Sequence, residues 1–484
     1  HRSASSVQWL SVLPLHKSTR GAAQHPSYRS QHERESTPVT LRQRWVGTAH
    51  LSRPALVIVG LLIAGALMTL LYSPLSPIRT PQSEIRNQEA LPLPDKPSIA
   101  VLPFVNMSND PEQEYFSDGL TEDLITELAK LSGLFVIARN SVFTYKGKPV
   151  KVQDVGRELG VQYVLEGSVR KAGNKVLINA QLIDAPTGHH VWSERYDWEL
   201  KDIFATQEEI RRKIITHLAV RLTEGEQERV WRQYTSNPEA YDTLLRGWEY
   251  FNRLTKEADV QARQMFEKAI ELDSTYAAAY SALGWTYFVE WVYQWSQAPQ
   301  TLEQAFALVQ KAIALDDSLA FAHAILGNVY AWKKQHDQAV AEGERAIILA
   351  PNWADGHVWL AQILILAGRP ADAIGLVEKA MRLNPQYPAW YSGTLGWAYR
   401  FTRRYEEAIT VLKQTLAGNP NDLGAHMNLA ATYSELDRME EARAEVAEML
   451  RISPNFSLEV LRRINAQKDP VLAERSIEAL RKAG

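Results

Sequence analysis

Ser98–Val105 (SIAVLPFV) is apolar at odd and even positions alike, the pattern of a strand covered on both faces. Asp110-Pro111-Glu112-Gln113 then predicts a helix start. Asp110 can cap it, Pro111 suits the first helical position and Gln113 can reach back to the cap. Phe116, Leu120, Leu124, Leu128 and Leu131 recur at helical spacing, Gly133 ends the run, and LFVIA (134–138) reads as a second buried strand. The pattern predicts a parallel strand–helix–strand unit with a right-handed crossover. A short helix is expected over about 152–159. Strands over 163–170 and 175–183 flank Ala172-Gly173-Asn174 as a hairpin, and a third strand over 190–196 follows Pro186-Thr187-Gly188. A helix from about 203 to 222 closes a small α/β domain over 98–224.

The first helix carries FSDGLTEDL (116–124), with Asp118, Glu122 and Asp123 around Gly119. All three acids lie off the apolar stripe, which places them on a wet face. Asp118 and Glu122 are one turn apart and could share a cation, but no His or further carboxylate nearby completes a ligand set. Acids in the first half of a helix are favoured by its dipole, which accounts for them without chemistry. His189 and His190 are adjacent in a strand and point to opposite faces, so they chelate poorly together.

Beyond this domain the pattern becomes periodic. Gly327, Ala361, Gly396 and Ala430 are 34, 35 and 34 residues apart, and Pro351, Pro385, Pro420 and Pro454 repeat the same intervals. Ala339, Ala373, Ala408 and Ala442 each follow the first small residue by 12 positions, and Tyr330, Leu364, Tyr399 and Tyr433 follow it by three. This is the tetratricopeptide period: two antiparallel helices that cross closely need Gly or Ala at the contact, with large residues beside it. Two looser repeats precede these four, around Gly247 and Gly284, the second with extra residues at WVYQWSQAP (291–299). Six repeats are therefore expected over 237–454, with two capping helices over 455–484. In the register of such a stack Trp285, Phe288, Asn328, Trp332, Gln362, Trp397 and Arg400 are expected to line a concave peptide groove.

The amino-terminal end has a different character. Ala55–Tyr72 (ALVIVGLLIAGALMTLLY) is 18 residues without a charge, long enough for a single transmembrane helix. Residues 1–54 carry Arg2, Lys17, Arg20, Arg29, Arg34, Arg42, Arg44 and Arg53 against Glu33 and Glu35. This basic, aperiodic segment reads as disordered and cytoplasmic by the positive-inside rule, with the rest across a bacterial inner membrane in the periplasm. Gly60 and Ala64 would let two such helices approach closely in a homodimer. Six prolines between Pro74 and Pro97 suggest an extended stalk over 73–97.

Composition narrows the chemistry. The 484 residues carry a net charge of −3, with no global basic field for nucleic acid. They contain no cysteine, which removes thiol catalysis, thiolate metal sites and disulfides. No phosphate-binding glycine loop of the usual spacing, HExxH or nucleophile elbow occurs. No catalytic residue, cofactor or metal is expected. The chain begins at His1 rather than Met, which fits a piece of a longer protein.

The segments DKPSIAVLPFVNMSNDPEQEYFSDGLTEDLITELAKLSGLFVIARNSVFTYKGK and ELGVQYVLEGSVRKAGNKVLINAQLIDAPTGHHVWSERYD, with the closing IEALRKAG, resemble the extracytoplasmic module of tetratricopeptide-repeat adenylate/guanylate cyclases. They are also similar to modules of some membrane-bound winged-helix transcription regulators. The resemblance, over about 95–484, implies a fold related to the amino-terminal domain of the TolB type, followed by an all-α tetratricopeptide solenoid. In that family a cytoplasmic cyclase domain precedes one membrane helix. Residues 1–54 are too short for such a domain and contain no Asp, so no catalytic or DNA-binding residue carries over.

Two functions follow as expectations. One is a membrane-anchored periplasmic scaffold or sensor that holds a protein or peptide through its repeat groove and is not an enzyme. The other is the regulatory part of a truncated class III cyclase or membrane-bound transcription regulator in signal transduction.

Overall fold

The computed structural model describes residues 91–484 apart from 109, 233, 293–294, 296–299 and 455. The first strand, β1 (Ser98–Val101), is buried at all four positions, as its unbroken apolar run requires. It pairs in parallel with β3 (Phe135–Val136) on one side and β4 (Tyr163–Ala172) on the other. A two-residue strand, β2 (Val105–Asn106), joins the far end of β4. The sheet continues antiparallel through β5 (Lys175–Asp184) and β6 (His189–Glu199), giving the order β3-β1-β4-β5-β6.

Helix α1 (Glu114–Ala129) follows a single 3-10 turn at Pro111–Gln113. There Asp110 accepts from the Glu112 amide at 2.9 Å and from Gln113 Nε2 at 3.2 Å. Next come α2 (Arg139–Phe143), α3 (Val152–Leu159) and α4 (Ile203–His217). Helix α4 stops short of the expected residue 222, because the chain turns at Ala219 with φ of 50° and Val220 is drawn back into the core. Thr223 and Glu226 then form a capping box that starts α5 (Glu224–Val230). Phe104, Phe116, Leu120, Leu124, Leu128, Val164 and Ile210 meet in the core of this sheet module.

An all-helical array follows. Its pairs are α6/α7 (Pro238–Phe251, Lys256–Leu272), α8/α9 (Ala277–Val292, Thr301–Leu315) and α10/α11 (Ala320–Trp332, His336–Leu349). They continue with α12/α13 (Ala354–Leu366, Pro370–Leu383), α14/α15 (Ala389–Phe401, Tyr405–Gly418) and α16/α17 (Leu423–Glu435, Met439–Ile452). Two helices close the chain, α18 (Leu458–Ile464) and α19 (Pro470–Ala483). Each pair meets through fully buried small residues such as Ala361, Ala373, Ala408 and Ala430. Where Pro370 opens α13 it occupies the first turn, which needs no amide donor.

The expected single-pass inner-membrane placement, with a cytoplasmic amino terminus and a periplasmic carboxy-terminal region, is corrected. Among the described residues no helix is long and apolar enough to cross a membrane. The run Ala55–Tyr72, the basic segment 1–54 and the stalk up to residue 90 lie outside the described residues.

Candidate interaction surfaces: the seam and the closed interior

The acids of FSDGLTEDL are each engaged by the chain's own groups. Lys146 reaches Asp118 at 2.6 Å and Glu114 at 2.8 Å, and Arg139 holds Glu122 at 2.9 Å. Asp123 is not on a wet face. It accepts hydrogen bonds from Tyr241 of α6 and from Gln207 of α4 at 3.2 Å. Burial, reinforced by Glu122 and Glu127 and opposed by those two hydrogen bonds, raises its carboxyl to about 7. Gly119 has a packing reason: a Cβ there would stand 2.6 Å from a methyl of Leu245. A glycine inside a helix costs about 1 kcal/mol relative to alanine, and here it lets α6 approach α1. Among the described residues no group of three or more His, Asp and Glu stands close enough to hold a metal ion.

Helix α1 therefore faces the array, and the contact extends well beyond it. Lys171 pairs with Asp242 at 2.5 Å, and the Tyr115 hydroxyl donates to the same carboxylate at 2.7 Å. Although burial opposes ionisation, Lys171, Tyr115 and Arg246 hold Asp242 below the usual carboxylate range. Further along, Asn352 donates to the Leu131 carbonyl at 2.7 Å and Ser141 to Asn384 at 2.6 Å. The Ala138 amide donates to Leu383 O at 2.9 Å. Arg382 donates to Leu159 O, Gly160 O and Pro92 O at 3.2, 3.0 and 2.7 Å, with its guanidinium over Phe135. The module thus lies along the edge of the array where one helix pair connects to the next, from α6 to the start of α14. Buried amide and carbonyl groups along this line find partners only because both parts are present.

The seven residues expected to line a groove are drawn into packing with the chain's own groups and do not form an open surface. Trp285, Phe288, Asn328, Gln362, Trp397 and Arg400 are buried, and Trp332 is half-buried. Trp285 stacks on Trp359 at 4.8 Å and meets Phe321 edge-on at 5.6 Å, so residues two pairs apart touch. Trp332 lies edge-on to Trp291 at 5.1 Å. Asn328 donates back to Ala324 O at 2.9 Å, and Gln362 donates to Thr394 at 3.0 Å. Arg400 pairs with Glu435 at 2.6 Å and donates to Ser476 at 3.1 Å. At this end the partner is the chain's own last helix.

A second repeated feature is polar. His323 and His426 each place Nδ1 2.6 Å from a glutamate nineteen positions on, Glu342 and Glu445. His357 holds the same place in α12 and contacts Pro351 O at 3.0 Å through Nε2, but Leu376 stands where the glutamate would be. Its Nδ1 is buried without a partner, and burial lowers it to about 4. For His426 burial acts against the proton, but Glu445 and the Pro420 carbonyl keep it above its ordinary value.

Comparison with known proteins divides along the same two parts. The family model described as HilA/YgeH-like transcriptional regulator, second domain, matches residues 95–214. Tetratricopeptide-repeat models match residues 326–388 and 402–461. "Putative adenylate cyclase 3" of Rhizobium meliloti (strain 1021) is 48% identical over 248 residues, 51% of this chain and 42% of that protein. The chain thus spans less than half the length of this relative. Among solved structures, YrrB, described as a TPR protein with an unusual peptide-binding site, is 23% identical. It covers 44% of this chain and 97% of its own, with a TM-score of 0.29. Pseudomonas aeruginosa pilF is 21% identical, covering 47% of this chain and 98% of its own, with a TM-score of 0.36. The TolB-like relation is not among these matches. A solenoid of tetratricopeptide repeats, with a small sheet-containing domain before it, is what this part of the chain is.

Proposed function

We propose that this chain is a non-catalytic protein-interaction part of a signalling protein, in which the sheet module and the repeat array present one continuous surface to a partner protein. The observation that carries this reading is the seam. Asp242 of α6, Asn352 of the link between α11 and α12, and Arg382 and Asn384 at the end of α13 spend polar groups on the module, which makes it part of the array's architecture rather than a separate reaction centre. The carboxylates that would serve acid–base work are committed to Lys146, Arg139 and Tyr241. Cross-linking of the intact chain in its native host, read by mass spectrometry, is expected to return one recurrent partner protein attached to array residues. Formation of cyclic nucleotide by the purified chain from ATP or GTP with Mg²⁺ or Mn²⁺ would overturn the reading.

A second reading is favoured by the identity to the cyclase-named relative. It makes the chain the regulatory arm of a nucleotide cyclase, with the partner surface controlling a catalytic domain encoded in frame. Sequencing the DNA upstream of the His1 codon tests it: a cyclase coding region supports it, and an immediate start codon removes it.

A further inference from the structure

The sheet of the module ends differently on its two sides. At the β3 edge the array closes it, with the Ala138 amide donating to Leu383 O and the Arg382 guanidinium over Phe135. At the other edge stands β6, which among the described residues pairs with β5 alone. The Leu200 amide donates to Asn174 O at 2.7 Å, and in the same register Trp198 stands opposite Val176 and Tyr196 opposite Ile178. Hydrogen bonds alternate along an antiparallel pair, so those to β5 fall on the even-numbered residues of β6. The amides and carbonyls of Ser193, Arg195, Asp197 and Glu199 therefore point out of the sheet, and all four residues are exposed. Helix α4 lies over β5 and β6 and against α1, on the face where Trp192 and Tyr196 are buried, and leaves the edge bare.

A bare edge is a template for another strand, and proteins commonly guard it with proline, lysine, a bulge or shortness. From Trp192 to Glu199 the register of β6 is unbroken and holds neither proline nor lysine; its irregularity lies beyond, opposite Leu182 and Ile183. The guard it does carry is charge, and that charge matches itself. Arg195 and Asp197 share the wet face, 66% and 69% exposed, and approach each other only to 4.0 Å. An antiparallel second copy that sets its Asp197 opposite Arg195 also sets its Arg195 opposite Asp197, as a two-fold axis at Tyr196 requires. Sliding the copies by two residues either way brings Arg195 opposite Arg195 or Asp197 opposite Asp197, and like charges directly opposite are destabilising. On the other face the matched register brings Trp198 opposite Glu194 of the second copy and beside its Tyr196. Trp198 is 39% exposed, and no other tryptophan among the described residues is as exposed.

We propose that β6 is a dimerisation edge, along which two copies of this chain join their sheets antiparallel about Tyr196. Ser193 pairs with Glu199 of the second copy and Arg195 with its Asp197, and each pair exchanges two backbone hydrogen bonds. The proposal goes beyond the partner-protein reading and does not need it, because β6 lies at the edge of the sheet away from the seam.

The chain contains no cysteine, so introduced thiols are the only ones present. Full-length Ser193→Cys and Glu199→Cys chains are mixed and mildly oxidised. Paired residues stand about 5.5 Å apart between Cα atoms, within reach of a disulfide. The mixture is expected to give a disulfide-linked dimer. Neither variant alone is expected to, because each thiol would lie about 20 Å from its own copy. Adding Arg195→Asp to both chains should slow cross-linking about tenfold, and adding Asp197→Arg as well should restore it. All four substituted positions are exposed, so circular dichroism should be unchanged. No cross-link from the mixture, equal cross-linking by either variant alone, or no recovery with the reversed pair would each overturn the proposal. Association through any other surface would not obey this pairing rule.

Discussion

The two ends of the array fill their interior by different means. Toward the amino terminus Trp285, Phe321 and Trp359 fill it with rings, and stacked aromatics bury large apolar area with only the indole N–H of each tryptophan to satisfy. Toward the carboxy terminus Arg400 and Glu435 fill it with charge, completed by Ser476 and Arg475 of the last helix and leaving polar atoms unpaired. Burying rings repays itself through area, whereas burying an ion pair must recover two desolvation costs through geometry. The difference teaches that a repeat fold with one backbone plan can fill its two ends with rings or with charge, set by which side chains stand along its helices.

The largest expected effect breaks the aromatic end. Trp359→Ala removes the partner of Trp285 and is expected to destabilise the chain by about 4 kcal/mol, read as a lower denaturant midpoint. A loss under about 1 kcal/mol would show that the rings collapse onto one another and that the end is not held by this stack.

The seam anchors that same end. Asp242→Ala leaves Lys171 buried without its carboxylate and is expected to cost on the order of 3 kcal/mol. Protease resistance of the module and the array should fall together. Loss of resistance in the module alone would make the seam an accessory contact.

Protonation separates the repeats by sign. His357 has its folded value lowered to about 4 from 6.5, so it contributes stability that is complete above 6.5 and is lost as pH falls through that window. The amount is on the order of 3 kcal/mol. His426 is raised, so its contribution is complete below 6.5 and disappears as pH rises through its folded value. Denaturant midpoints from pH 4 to 8 should therefore flatten on the acid side in His357→Gln and on the alkaline side in His426→Gln. The same pH response in both variants would contradict the assignment.

Arg400→Ala is expected to cost about 2 kcal/mol, less than the loss of a buried ion's only partner, because Arg475 remains beside Glu435. A cost as large as that of Trp359→Ala would erase the contrast between the two ends. The smallest effect belongs to the surface. Arg369 and Asp372 are about half exposed, and Arg369→Ala should change stability by less than about 1 kcal/mol, with little left in 1 M salt.

Much of the fold was legible in residues. The recurring small positions from Gly327 to Ala430 announced the helix pairs, because a close helix crossing tolerates nothing larger. The hairpin around Gly173 and the helix 152–159 followed from turn residues and periodicity. The short α2 and β2 escaped notice, being two to five residues long and held by neighbours rather than by their own pattern. The capping box at Thr223 and Glu226 was a missed signal, readable as a threonine followed three residues later by a glutamate.

For the candidate sites the order reversed. The sequence alone determined that Trp285, Trp397 and Arg400 stand one or four positions after the small residue of their repeats and so share one helix face, since a 34-residue period repeats that face whatever the superhelix does. Only the tertiary structure decided that this face is filled, because how tightly the pairs wind depends on contacts such as Trp285 with Trp359, far apart in the chain. It also decided that Asp123 and Gly119 serve a seam. Helix periodicity tells which way a residue points, but only packing tells what stands opposite it.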